Sequence, residues 1–189
     1  MMSVSFCGIK ENIALGQQAL AQVKKDFPNG IKSNTYYETF TPSPNQYILD
    51  SYERAIEETR RMVDQKKRQG MNDIDATVEA VKVTGAGNCG EQARIVSKKL
   101  SDNGVTNKVI LMTLRDNKTN FPRDGHTFCV IDTASDMKVK EPKTWGSDAV
   151  VVDLWSNTVA KASEALEYFC SIMKPNKEQH VSFEDGILF

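Results

Sequence analysis

The sequence has no long apolar run and no excess of charge of either sign. No stretch approaches the roughly 18 to 20 consecutive apolar residues that span a bilayer, so we expect no transmembrane helix and no membrane partner. Lys and Arg total 24 and Asp and Glu total 25, which leaves a formal net charge of −1. A chain this close to neutrality has no bulk field that would attract it to nucleic acid, so we expect no nucleic-acid partner.

Cysteine is also scarce. The four cysteines, Cys7, Cys89, Cys129 and Cys170, form no CxxC pair. Disulfide frameworks are denser in chains of this size, so we expect free thiols and a reducing compartment. The first residues lack a basic n-region, and a Lys-Glu pair at 10–11 interrupts them before an apolar h-region can form. We therefore expect a cytoplasmic protein, or one delivered into a host cell without a cleaved signal peptide.

What is present is typical of one globular domain of 189 residues, 40% of them hydrophobic. No linker or internal repeat divides the chain, so we expect a single domain over 1–189. Within it we expect a helical part (1–84), a core (85–156) and a C-terminal helix and tail (157–189).

The hydrophobic pattern changes along the chain from helical to extended. Apolar spacing predicts helices, and runs of β-branched and apolar residues predict strands, whereas a Pro- and Asn-containing segment at 28–45 predicts a loop or extended chain. The helices are expected at 10–26, 46–69, 72–83, 89–103 and 158–173, and the strands at 105–114, 127–131 and 149–155. Helices followed by strands indicate an α+β fold, with the N-terminal helices packed on a small antiparallel sheet.

Three segments carry residues suited to thiol catalysis. Cys89 lies in GNCGE (87–91), at the expected start of a helix, where unpaired backbone N–H groups and the helix dipole favour a thiolate. His126 begins an expected strand and can serve as a general base. Asp153 interrupts the apolar run VVVDLW (150–155), and an imidazole partner would compensate its burial.

Residues beside these three have expected supporting roles. The glycines Gly87, Gly90 and Gly125 would let a substrate backbone approach closely. Asn88 and Gly90 are candidates for positioning the substrate or its oxyanion. Trp155, on the same expected strand face as Asp153, would either pack in the core or form one wall of the substrate pocket.

Each residue taken singly also has a purely structural interpretation. A buried cysteine is usually a small hydrophobe, and a strand aspartate can simply accept hydrogen bonds from backbone amides. The combination of Cys, His and Asp at a helix start and on two strands favours the catalytic interpretation.

These motifs resemble those of the papain-like and transglutaminase-like superfamily of Cys-His-Asp thiol enzymes. The similarity covers about 85–156 and is closest to compact bacterial effector and toxin domains that deamidate, crosslink or cleave host proteins. It implies a papain-like or transglutaminase-like core, with Cys89 as nucleophile, His126 as base and Asp153 as the orienting carboxylate. The glutamine that papain-type proteases place shortly before the cysteine is missing, since 83–86 reads VTGA.

The resemblance therefore implies a thiol acyl-transfer enzyme acting on a protein carboxamide, through glutamine deamidation or transamidation. A papain-like cysteine peptidase is the alternative with the same chemistry. A non-catalytic protein-binding module with a vestigial triad is the alternative of another class. A protein substrate, which can be a host protein, is the expected partner.

No cofactor or metal is expected. The segment 85–90 matches G-x-G-x-x-G, but the nearest acidic residue in a suitable place, Asp116, comes too late for a dinucleotide site. His126 and Cys129 would point to opposite faces of a strand, so they cannot share a zinc ion. We expect His180 to be exposed and inert, and the long polar loop that carries Trp145 (133–148) to form a rim that meets the substrate.

Overall fold

The chain forms a five-stranded sheet covered by helices on both faces. A computed structural model describes residues 8–119 and 122–186. The helices are α1 (Ile9–Asp26), α2 (Asn34–Phe40), α3 (Gln46–Arg68), α4 (Asp73–Thr84), α5 (Cys89–Asp102) and α6 (Ala162–Met173). The strands are β1 (Asn107–Asp116), β2 (Pro122–Ile131), β3 (Val150–Asp153), β4 (Thr158–Lys161) and β5 (Gln179–Asp185). The predicted α+β class is confirmed.

Local signals in the sequence set the helix boundaries. The Asn72 side chain accepts a hydrogen bond from the Asp75 backbone N–H (2.9 Å), so it caps α4 as the sequence predicts. The same helix ends at Gly85, whose φ of 67° is a left-handed conformation that glycine adopts without strain. This glycine also begins the turn that leads into α5.

The sheet is antiparallel throughout, in the order β4-β3-β2-β1-β5. Its central strands are buried on both faces, because successive side chains enter different cores. In β2, Cys129 and Ile131 pack into the core under α1 and α5, whereas Phe128 and Val130 pack into the core under α6. The near-continuous apolar runs in the sequence follow from this double burial.

Helix α1 lies very close to the sheet at Gly16. A Cβ atom there would stand 2.7 Å from Val159 and 2.8 Å from Val152, which is closer than real Cβ contacts. A glycine at this position therefore lets α1 pack directly on β3 and β4. Helices α3 and α4 form an outer pair, and α4 packs against α5, which in turn contacts the sheet.

Five elements differ from the sequence prediction. Strand β2 begins at Pro122 and not near His126, so His126 lies within the strand and does not begin it. The segment expected as a loop (28–45) contains α2, and the last helix begins at Ala162 rather than at 158 because 158–161 pairs with β3 as β4. The C-terminal tail contributes the edge strand β5, which pairs with β1. Both missed strands are short or half-exposed, so neither has the continuous apolar run that marks β3.

The loop that carries Trp145 (133–148) is expected from the sequence to form a rim that meets the substrate, but Trp145 itself points into the core. Its side chain is fully buried and packs edge-on against Phe183 with ring centroids 5.4 Å apart. The indole Nε1–H is shared between the carbonyls of Lys138 and Val139, at 3.2 and 3.3 Å. The loop is thus anchored in the core under α6 by its one large aromatic ring.

Candidate active site

A cleft of about 610 Å³ opens at the N-terminus of α5. Residues of α2, of the end of α6 and of β2 are among those that line it. Cys89, His126 and Trp155 all line it. A half-open cleft of this size, with a few converging polar groups, is the usual form of a ligand-binding site.

Cys89 is the first residue of α5 and is partly exposed. Asn88 precedes the helix, and its backbone N–H donates to Glu91 Oε2 at 2.9 Å in a capping arrangement. The other carboxylate oxygen of Glu91 accepts from Arg60 Nε, also at 2.9 Å. The acidic charge beside Cys89 is therefore paired with a cation on α3, which reduces its opposition to a thiolate.

The turn before Cys89 is fixed by an extended segment around Lys32. The Lys32 N–H donates to the Gly85 carbonyl at 2.8 Å, and the Gly87 N–H donates to the Lys32 carbonyl at 2.9 Å. Gly87 is buried and does not line the cleft, contrary to the expectation that it faces the substrate. It is glycine because a Cβ would stand 2.7 Å from the Glu91 Cβ.

The other two glycines do line the cleft. A Cβ at Gly90 would meet only the Arg94 guanidinium, at 3.6 Å, which is an ordinary contact. At Gly125 it would approach Leu111 to 3.3 Å. Neither glycine carries a side chain that would separate a ligand in the cleft from the backbone, so a ligand can approach both backbones closely.

His126 and Asp153 form a buried pair. His126 lies within β2, opposite Met112, and its side chain reaches across to the end of β3. The Nε2 atom is 2.8 Å from Asp153 Oδ2, and the two residues are only 7% and 2% exposed. Two ionisable groups buried this deeply require each other as partners.

Asp153 is further held by the turn that follows β3. Its Oδ1 atom accepts from the Trp155 backbone N–H at 3.1 Å, and its Oδ2 atom accepts from the Ser156 N–H at 3.1 Å and from the Ser156 hydroxyl. The sequence had suggested that Trp155 lies on the same strand as Asp153. The strand ends at Asp153, and Trp155 lies in the turn that follows. A carboxylate with these donors is fixed in direction, which in turn fixes the imidazole ring.

Cys89 lines the same cleft as this imidazole and lies close enough to influence its pKa. Because Nε2 is bonded to Asp153, the ring nitrogen left for the sulfur is Nδ1. Burial lowers the pKa of His126, but the charge and hydrogen bond of Asp153, with those of Cys89, raise it above the ordinary value of 6.5. A cysteine, a histidine and a carboxylate in one cleft are the residue types that thiol catalysis uses as nucleophile, base and orienting group.

Aromatic rings enclose the imidazole on two sides. The ring centroids of Trp155 and Phe169 lie 4.9 and 4.7 Å from that of His126. Two rings on α2, Tyr36 and Phe40, lie 5.5 and 5.4 Å from Trp155. The site thus has an apolar cover, which limits access of water to the buried pair.

Helix α2 is the part of the site that sequence reasoning missed. Its N-cap is Ser33, whose Oγ atom accepts from the Tyr36 backbone N–H at 3.2 Å. A capping serine followed by aromatic residues four positions apart, at 36 and 40, was the available signal. The Pro and Asn residues around this segment favoured a loop prediction instead of a helix.

The other described cysteines differ from Cys89 in their surroundings. Cys129 is fully buried and donates to the Ala93 carbonyl at 3.1 Å, and burial raises the pKa of its thiol strongly. Burial also raises the pKa of Cys170. The three are free thiols, whereas Cys7 lies outside the described residues. Among the described cysteines, only Cys89 is paired with an imidazole.

The sequence also gives expectations for His180, for membrane-spanning helices and for metal-binding groups. His180 is exposed on β5 and bonds to Asn117 Oδ1. Within 8–119 and 122–186, no helix is long and apolar enough to cross a bilayer, and no group of three His, Cys, Asp or Glu residues is placed to hold a metal ion. Comparison of the chain with protein-family models, with curated proteins and with solved structures finds no match.

Proposed function

We propose that the protein is a thiol acyl-transfer enzyme that acts on a carboxamide, with a glutamine side chain of a protein as the favoured substrate. The observation that carries the proposal is the series Cys89, His126 and Asp153 in one open cleft. The sulfur lies close enough to the imidazole to influence its pKa, and the imidazole bonds to a buried carboxylate at 2.8 Å. A resident metal or cofactor has no part in this chemistry.

The reaction proceeds in two steps. The Cys89 thiolate attacks the carboxamide carbon, and the electron pair of the C=O bond moves to oxygen. When that pair returns, the C–N bond breaks, and the His126 imidazolium gives its proton to the amide nitrogen, which departs as ammonia and leaves a thioester on Cys89. Water then hydrolyses the thioester to a carboxylate, or an amine attacks it to form a new amide. In either case the sulfur and the imidazole return to their starting state.

The surroundings of Cys89 support a carboxamide substrate over a peptide bond. Papain-type peptidases use a glutamine side chain as an oxyanion donor near the cysteine. The glutamine closest in sequence to Cys89, Gln92, is buried and donates its Nε2–H to the Gly87 carbonyl at 2.9 Å. The Gln92 side chain therefore stabilises the turn before Cys89 and does not serve as the oxyanion donor that papain-type peptidases use. A cysteine peptidase with the same triad is the second outcome that the test below distinguishes.

Intact-mass analysis of a glutamine-rich protein such as casein, with a primary amine present, tests the proposal. Wild-type enzyme should either raise the substrate mass by about one unit per site or add the amine with loss of about 17 units, through the shared thioester. Cys89→Ala should do neither, and Cys170→Ala is the matched control that keeps the triad. New N-termini without ammonia release would identify a peptidase.

A labelling experiment separates an enzyme from a binding module. Iodoacetamide at neutral pH should alkylate Cys89 much faster than Cys129 or Cys170, because only Cys89 pairs with an imidazole. His126→Ala should remove that advantage. Equal reactivity of Cys89 and Cys170 in the wild type would contradict the proposed function and favour a vestigial triad.

A further inference from the structure

The carboxamide of Asn88, next to the nucleophile in sequence, is held at one end by two hydroxyl groups. Ser33 Oγ lies 2.7 Å from Asn88 Oδ1, and Thr35 Oγ1 lies 3.2 Å from the same atom. Both hydroxyls come from the segment that leads into α2 and begins it. They bring the N-terminal helical part of the chain to the start of the Cys89 helix.

A count of protons at Ser33 fixes which end of the amide faces it. Its Oγ atom accepts from the Trp155 indole Nε1–H at 3.3 Å and from the Tyr36 backbone N–H at 3.2 Å. Both of these groups are donors only, so they occupy the two lone pairs of the hydroxyl. Its single proton then has to be donated, and Asn88 Oδ1 at 2.7 Å is a closer acceptor than Thr35 Oγ1 at 3.2 Å. An amide turned the other way would present a third donor to a hydroxyl whose two lone pairs are already occupied.

The opposite end of the amide, Nδ2, is consequently directed away from Ser33. Ser33 is buried and does not line the cleft, whereas Asn88 does. Nδ2 has no hydrogen-bond partner among residues 8–119 and 122–186, and the Asn88 backbone N–H is already bonded to Glu91. The side-chain NH2 of Asn88, a residue that lines the cleft, is therefore available to donate to a ligand there.

We infer that Asn88 Nδ2–H and the Cys89 backbone N–H form the oxyanion hole, and that Ser33 is the positioning residue that directs the Asn88 amide. The inference rests on the proposed function. The Cys89 N–H belongs to the first turn of α5, where backbone donors have no intrahelical partner. When the thiolate attacks the carbonyl carbon, both donors stabilise the negative charge on the oxygen until the C–N bond breaks.

The same serine reaches the other side of the site. Trp155, whose indole donates to Ser33, has its ring 4.9 Å from that of His126. One hydroxyl thus orients both the oxyanion donor beside the nucleophile and the ring that covers the base. Loss of the hydroxyl should affect the carbonyl chemistry more than the intrinsic reactivity of the sulfur.

Two small probes separate these effects. p-Nitrophenyl acetate acylates a thiolate through an oxyanion and releases p-nitrophenolate, which is measured by absorbance. Iodoacetamide alkylates the same thiolate by displacing iodide, with no oxyanion. The ratio of the two rate constants at Cys89 therefore reports the oxyanion hole alone, because any change in the thiolate population cancels.

Asn88→Asp keeps the shape of the side chain and its acceptors for Ser33 and Thr35, but it removes the donor. Asn88→Ala removes the donor without adding charge. We expect the rate ratio to fall about 100- to 1000-fold in both, as on loss of one oxyanion donor. Ser33→Ala should lower it roughly tenfold, since the amide can then rotate. Ser33→Thr, which retains the hydroxyl, should restore most of the ratio.

Circular dichroism confirms that each variant is folded before its rates are compared. An unchanged ratio in both Asn88 variants, with the wild type acylated at Cys89, would overturn the oxyanion assignment and leave the proposed function standing. A fall in the Asn88 variants without a fall in Ser33→Ala would overturn the role of Ser33. A wild type that p-nitrophenyl acetate does not acylate at Cys89 would overturn the proposed function, and the inference with it.

Discussion

The two halves of the candidate site are held in place by different means. The helix half, Asn88 and Cys89, is partly exposed and is positioned by hydrogen bonds from segment 31–35 and from Glu91. The sheet half, His126 and Asp153, is almost fully buried under aromatic rings. The helix half is positioned by hydroxyl groups and by a carboxylate that pairs with Arg60, and the sheet half contains a buried ion pair.

Because of this difference, substitutions in the two halves should have different effects on the stability of the fold. A buried carboxylate that loses its partner leaves an uncompensated charge, so each member of the sheet half also supports the fold. The sulfur of Cys89 lies in a cleft and is not part of either main core. Residues of equal importance for the reaction should therefore differ widely in their effect on unfolding.

The strongest test of this comparison pairs Asp153→Ala with Cys89→Ala. Both should abolish acylation of Cys89 by p-nitrophenyl acetate or lower it by about 10⁴-fold. Asp153→Ala should also cost about 3–5 kcal/mol of stability, because it leaves His126 and the Ser156 and Trp155 donors without their acceptor. Cys89→Ala should change stability by less than about 1 kcal/mol. Urea unfolding measures both; equal losses would remove the distinction between the halves.

The pH dependence of stability tests the charge of the sheet half. The pKa of His126 is raised in the folded state, so the native protein binds more protons than the unfolded chain. The stabilisation is fully present below the unfolded value near 6.5 and is lost as the pH rises through the raised value. We expect the free energy of unfolding to fall by about 1–3 kcal/mol between pH 6 and pH 9.

Asp153→Asn is the control for this titration. It removes the carboxylate charge that raises the pKa of His126, so its unfolding free energy should vary less over the same pH interval. Parallel curves for wild type and variant would show that other groups cause the dependence. The sheet half would then not hold the charge that we assign to it.

The smallest expected effect concerns the two glycines that flank Asn88 and Cys89. Gly87→Ala should cost about 1–3 kcal/mol, because its Cβ would lie 2.7 Å from that of Glu91 and displace the helix cap. Gly90→Ala should leave stability unchanged or raise it by about 0.5–1 kcal/mol, since alanine favours a helix and the nearest atom is 3.6 Å away. Thermal unfolding compares the two. A tolerated Gly87→Ala would show that the turn can shift without loss.

The sequence predicted the elements with strong periodicity or clear caps. Helices α1, α3, α4 and α5 and strand β3 lie within a few residues of their expected positions, because an amphipathic stripe or a buried apolar run specifies each one. Strand β5 escaped notice because it is a half-exposed edge strand in which only Val181 and Phe183 alternate into the core. Helix α2 escaped because its rings pack on Trp155 and on each other, and none of its residues is buried.

The sequence by itself determined the chemical types at the site: a cysteine at a helix start, a histidine beside a glycine, and an aspartate in an apolar strand. Their local contexts limit what each can do, so this much could be read from the chain. The tertiary structure alone decided that a serine 55 positions before Asn88 directs its amide and that Trp155 covers His126. Such contacts depend on how helices and strands far apart in the sequence pack together, and no local pattern encodes that packing.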